Sequence, residues 1–115
     1  MTMKEFMFVF RADFKNMPRT SPEEMQAQTK RWMDWIGGIA AQNKLVSRGN
    51  RLSSGGKVLK GNDIITDGPY TEIKESIGGY CIVKADTFDG AISLAKGCPV
   101  LNAGGNVEIR EIDQL

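Results

Sequence analysis

Apolar residues alternate strictly from Glu5 to Arg11. Phe6, Phe8 and Phe10 fall on one side and Met7 and Val9 on the other, which predicts a strand that is apolar on both faces. The spacing then changes. Thr20-Ser21-Pro22-Glu23-Glu24 carries a cap, a first-turn proline and the acidic residue of a capping box, so a helix is expected from about Pro22 to Gln42. Met25, Thr29, Trp32, Ile36, Ile39 and Ala40 form its apolar stripe, with Lys30, Arg31 and Asp34 away from it. Trp32 and Trp35 read as core and flank of this helix, and Gly37-Gly38 weakens its last turns.

A weaker strand, Leu45 to Leu52, is interrupted by Gly49 and followed by the flexible Ser53-Ser54-Gly55-Gly56. Val58-Leu59-Lys60 and Asp63-Ile64-Ile65 flank Gly61-Asn62, which reads as a two-residue hairpin loop of the primed type. Ile77 to Ala85 is a second strand apolar on both sides, with Tyr80 and Ile82 on one face and Cys81, Val83 and Ala85 on the other. Asp86 or Thr87 caps a second helix, Phe88 to Lys96, with Phe88, Ala91, Ile92 and Ala95 inward and a stop at Gly97-Cys98-Pro99. Val107 to Ile112 is the last strand. The order is β-α-β, an inserted hairpin, then β-α-β.

Two helices, each roughly 10 Å across, can cover one face of four strands spaced roughly 4.8 Å apart. The second face of the sheet is apolar too. A second copy of the sheet is the simplest cover, so a homodimer is expected.

With 115 residues and 41% apolar content, the chain suits a single domain spanning 1–115. Its 15 basic and 14 acidic residues are dispersed, which disfavours nucleic acid or an anionic membrane as partner. No stretch has the length of a spanning helix and Met1 leads into no signal pattern, so a cytoplasmic protein is expected. Cys81 and Cys98 suit buried thiols rather than a disulfide framework or metal cluster. Histidine is absent, which removes the usual proton carrier near neutral pH and the commonest zinc ligand. Gly49, Gly55, Gly56 and Gly61 lack the spacing of a phosphate-binding loop, and no cofactor or metal site is expected.

Candidate chemistry centres on Asp67-Gly68-Pro69-Tyr70-Thr71-Glu72-Ile73-Lys74-Glu75. Asp67 can serve an Asx turn beside the Gly-Pro corner, or act as a general acid or base at a pocket rim. Glu72 is the second carboxylate candidate. Tyr70, Lys74 and Glu75 are candidate ligand contacts, against a reading in which the segment is a packing lid and solvated connector. Arg11, Arg48 and Arg110 could converge on one sheet region, to bind a carboxylate ligand or to pair internally with Asp67, Glu72 or Glu75.

The run from Asp67 to Tyr80, with the Gly97-Cys98-Pro99 break and the Val107-Glu108-Ile109-Arg110 strand, resembles the signature of the DGPF, or YCII-related, family. That resemblance implies an α+β fold: a ferredoxin-like βαββαβ protomer with an inserted hairpin and an antiparallel sheet, forming a dimeric α+β barrel. It implies a small-molecule pocket near Asp67 to Glu75, with isomerase, lyase or hydrolase chemistry, which in a chain without histidine would fall to a carboxylate such as Asp67 or Glu72. It also implies a reading of another class, a non-catalytic interaction or regulatory module of the kind associated with sigma factors. Related proteins are thought to use a His-Asp pair, which this chain cannot carry.

Overall fold

The structure is a computed structural model that describes residues 3–14, 21–68 and 76–114. The first strand, β1 (Lys4–Ala12), leads to helix α1 (Pro22–Ala41) and strand β2 (Leu45–Arg51). A hairpin of β3 (Gly56–Lys60) and β4 (Ile64–Gly68) follows, then β5 (Ser76–Ala85), α2 (Phe88–Ala95), a 3₁₀ turn over Pro99–Ala103, and β6 (Asn106–Glu111). Four strands form one antiparallel sheet in the order β2-β5-β1-β6, and among the described residues β3 and β4 pair with each other alone. This is the ferredoxin-like α+β arrangement with the expected hairpin inserted between its second and third core strands.

The ends of the helices follow from their caps. Ser21 accepts a hydrogen bond from the Glu24 N–H and Pro22 opens α1, while Thr87 does the same for Gly90 at the start of α2. Gly37 and Gly38 do not interrupt α1, and a side chain added at either would meet open space.

Phe6, Phe8, Phe10 and Ala12 of β1 share a buried face with Cys81, Val83 and Ala85 of β5. The helices cover this face through aromatic contacts. Phe8 stacks on Trp35 at 6.2 Å, Phe10 meets Trp32 edge-on at 4.9 Å, and Phe6 meets Phe88 at 4.9 Å. Edge-on and offset pairs are the favoured ring geometries and add about 1 kcal/mol each beyond the area they bury. Trp35 also donates its indole N–H to the Leu94 carbonyl at 2.9 Å, which ties the two helices together and satisfies a half-buried donor.

Three expectations are corrected. Met25, Thr29 and Ala40 are exposed; the packing positions of α1 are Trp32, Trp35, Ile36 and Ile39, all in its second half, and its first turns add nothing to the buried core. On α2, Ile92 points out and Leu94 packs on the core in its place; Phe88, though 47% exposed, still reaches Phe6. The hairpin connection holds three residues, Gly61–Asp63, with positive φ at Asn62 and Asp63 rather than at Gly61.

The strand β2 is bulged where Ser47 faces Ile82 and Asn50 faces Tyr80, so three steps on one strand match two on the other. Gly49 makes the bulge with φ +66, and a Cβ there would fall 1.8 Å from the Tyr80 carbonyl oxygen. Only glycine fits this position, which brings Asn50 opposite Tyr80.

The molecule is a slab of 45 × 43 × 18 Å, and its radius of gyration of 15.7 Å exceeds the roughly 13 Å of a compact domain this long. The short dimension holds one sheet and one helix layer. Gly37→Ala and Gly38→Ala are expected to raise stability by about 0.5–1 kcal/mol each, because both sites are helical and sterically free; urea unfolding checks this, and a loss of stability would contradict it.

Candidate functional site

The face of the sheet away from the helices carries Met7 and Val9 of β1 and Tyr80 and Ile82 of β5, all half-buried. Strand register sets a row across it: Asn50, Tyr80, Val9 and Glu108, each on the strand next to the last. A second row pairs Ile82 with Met7 and Met7 with Arg110. The centre is apolar and both ends of the first row are polar.

At one end, Arg11 donates from Nε to Glu108 Oε1 at 2.9 Å, and Arg110 donates from Nη1 to Glu108 Oε2 at 3.3 Å. Two guanidinium groups thus share one carboxylate. The Arg11 hydrogen bond holds the Glu108 carboxyl below the ordinary carboxylate value; partial burial opposes this and Arg110 reinforces it. Each guanidinium has five N–H donors, so the two bonds leave Arg110, whose side chain is 72% exposed, with donors for a further anion.

At the other end, Asn50 donates from Nδ2 to the Tyr80 hydroxyl at 3.0 Å. The phenol oxygen accepts there, so its own proton can be directed at a ligand. Tyr80 and Glu108 lie on either side of Val9, two strand spacings or roughly 10 Å apart. Two residues before Tyr80 the ring of Phe14 lies on Gly78, where a Cβ would come 2.4 Å from a ring carbon, and this aromatic borders the row.

The sequence-predicted residues divide accordingly. Arg11 and Arg110 do converge, and both donate to Glu108. Arg48 is exposed on β2, with two strands between it and β6, roughly 14 Å from that cluster. Asp67 lies on β4, its side chain 93% exposed and paired with Lys57 at 2.6 Å, so it stands in water on the hairpin and not on the four-stranded sheet. Tyr70, Glu72, Lys74 and Glu75 lie outside the described residues. Glu108, Tyr80 and Asn50 were not singled out from the sequence. The signal available was the alternation in Val107-Glu108-Ile109-Arg110, which puts both charges on the side opposite Val107 and Ile109.

The sequence model of the YCII-related domain matches residues 7–115. The chain belongs to that family. No curated protein matches it at a significant level. In this YCII-related chain the matched region takes in most of β1 and all of β5 and β6, and with them Arg11, Tyr80, Glu108 and Arg110.

Both thiols belong to the buried core on the helix-covered side of the sheet rather than to this face. Burial pushes Cys81 up to about 12, with the nearby Cys98 adding to it, and pushes Cys98 up to about 11 against a lowering hydrogen bond from Val100. A thiolate is the reactive form. A groove along the outer side of α1, lined by Met25, Gln26, Thr29, Lys30, Met33 and Asp34, brings in no group from the sheet. No helix among the described residues is long and apolar enough to cross a membrane.

Two outcomes follow from these groups. In the native protein neither cysteine should react with an aromatic disulfide at about pH 8, and both should react once the chain is unfolded; fast labelling of the native protein would contradict the buried core positions. Because Glu108 is held low, its contribution to stability is present above the unfolded-state carboxylate range and is lost as pH falls through the folded value. Glu108→Gln should therefore flatten the acid side of the stability profile, by about 1 kcal/mol for a pair this open to solvent. An unchanged profile in thermal unfolding between acid and neutral pH would refute the assignment.

Proposed function

We propose that this protein is a homodimeric binder of small organic anions, and that its site is the sheet face left bare by the helices. The observation that carries this reading is the combination on that face of an apolar floor, Val9, Met7 and Ile82, with Arg110 and Arg11 at one side and the Tyr80 hydroxyl at the other. Apolar surface with a few convergent polar groups is what a small-ligand site requires. The anion would take the remaining Arg110 donors, its apolar part would lie over Val9, and the Tyr80 hydroxyl would meet a polar group at the far end. The roughly 10 Å between the two polar ends suits a ligand the size of a substituted ring.

Binding fits these groups better than proton transfer. A general base works best with a proton affinity near the working pH, and two guanidinium groups move Glu108 the other way. Glu108 then serves to hold both arginines in place. A second copy would close the site, since a bare face of this kind leaves the ligand open to water on one side; packing two such faces about a two-fold axis gives the dimeric barrel.

A thermal-shift screen of small carboxylic acids tests the reading. An acid present at 100 times its Kd adds about 2.7 kcal/mol to the folded state, so a clear rise in midpoint is expected for aromatic or branched acids. Arg110→Gln should weaken the same acid at least tenfold while leaving the unliganded midpoint nearly unchanged, because Arg110 is largely exposed. Equal binding by wild type and variant, or no response to any acid, would overturn the assignment.

A further inference from the structure

We propose that the β3–β4 hairpin is a dimerisation arm, which packs its Leu59–Ile65 face on a second copy of this chain and extends the contact between the two sheet faces. The inference rests on the dimer proposed above and names a second surface for it.

The hairpin has no core of its own. Its strands of five residues pair only with each other, and an isolated two-stranded hairpin is marginal in water. Register places Leu59 directly opposite Ile65, with Lys57 opposite Asp67 one pair further along the same face. Leu59 is 68% exposed and Ile65 66%, while Ile64, paired with Lys60, lies on the other face of the hairpin. The Lys57–Asp67 ion pair at 2.6 Å forms a polar border next to this apolar pair, the arrangement of an interface core and its rim.

The hairpin does not fold back over its own sheet. It leaves the sheet after Arg51, whose neighbour on β5 is Gly79, and the 18 Å thickness of the molecule accommodates the sheet and helices with no third layer. The arm therefore projects beyond the rim of the slab. When two slabs meet face to face, an arm that overhangs its own rim is placed to reach the other subunit, and two-fold symmetry supplies two such contacts.

The area points the same way. A face of four strands, each about eight residues long, has a plan of roughly 19 by 27 Å, or about 500 Å². A stable interface of ordinary size buries about 800 Å² per partner. Leu and Ile side chains each carry on the order of 100 Å² of apolar surface, so Leu59 and Ile65, with their backbone and the Lys57 stem, supply much of the shortfall.

Sedimentation equilibrium of the full chain and of the double variant Leu59→Thr/Ile65→Thr tests the arm. Threonine keeps the strand preference and removes the apolar contact from positions that carry little of the monomer's packing. The dimer Kd should rise tenfold or more with circular dichroism unchanged. A wild-type dimer with the same Kd as the variant overturns the arm and leaves the face-to-face dimer standing; a monomeric wild type overturns both. Amide exchange in the wild-type protein gives a second reading that needs no substitution. Amides in β3 and β4 should be protected at concentrations above the Kd and lose that protection on dilution, and exchange rates independent of concentration would count against the arm.

Discussion

The shape and the chemistry of this protein depend on an imbalance between layers. Two helices shelter one face of a four-stranded sheet, while β1 and β5 at its centre are apolar on both faces. On the sheltered side the solution is aromatic. Phe6, Phe8 and Phe10 present a ladder of rings to Trp32, Trp35 and Phe88, so helix placement follows from ring geometry at three successive inward positions of one strand. On the other side Met7, Val9 and Ile82 sit half-buried beside their strand neighbours, and Arg11 and Arg110 both bond Glu108.

That bare side explains why the arginines are where they are. A guanidinium at Arg11 would be costly against the aromatic core but is tolerated one residue out of phase, where Glu108 on the neighbouring strand accepts it. Arg110 then shares the same carboxylate from its exposed position. The result is a carboxylate fixed by two cations, with donor capacity left over and an apolar strip beside it. The Gly49 bulge acts at the opposite edge, where it brings Asn50 level with Tyr80 and fixes the direction of the phenol.

Much of the fold was legible from local patterns. Period-two alternation identified β1 and β5 and sorted their faces, and Ser21, Pro22 and the pair Asp86-Thr87 marked the helix starts, because caps and pleats act within a few residues. The errors came from longer range. Met25 and Thr29 fit a helical stripe, yet nothing in their spacing says that only the second half of the helix, from Trp32 to Ile39, packs on the core. Glu108 was passed over as the partner of Arg11 because the two are 97 residues apart, and only the β1–β6 register brings them together. Asn50 and Tyr80 are a similar case, hidden by a bulge that shifts the pairing. Asp67 attracted notice through its Gly-Pro corner, whereas the strand pairing puts it in water opposite Lys57.

Whether the bare face is covered in solution is measured most directly on the face itself. A single cysteine introduced as Ile82→Cys would report from its centre, against a background in which both native thiols are buried. The account predicts that labelling of this thiol slows as protein concentration rises and the second copy closes over it. Labelling at one fast rate across the whole concentration range would show the face open to water and would contradict the account.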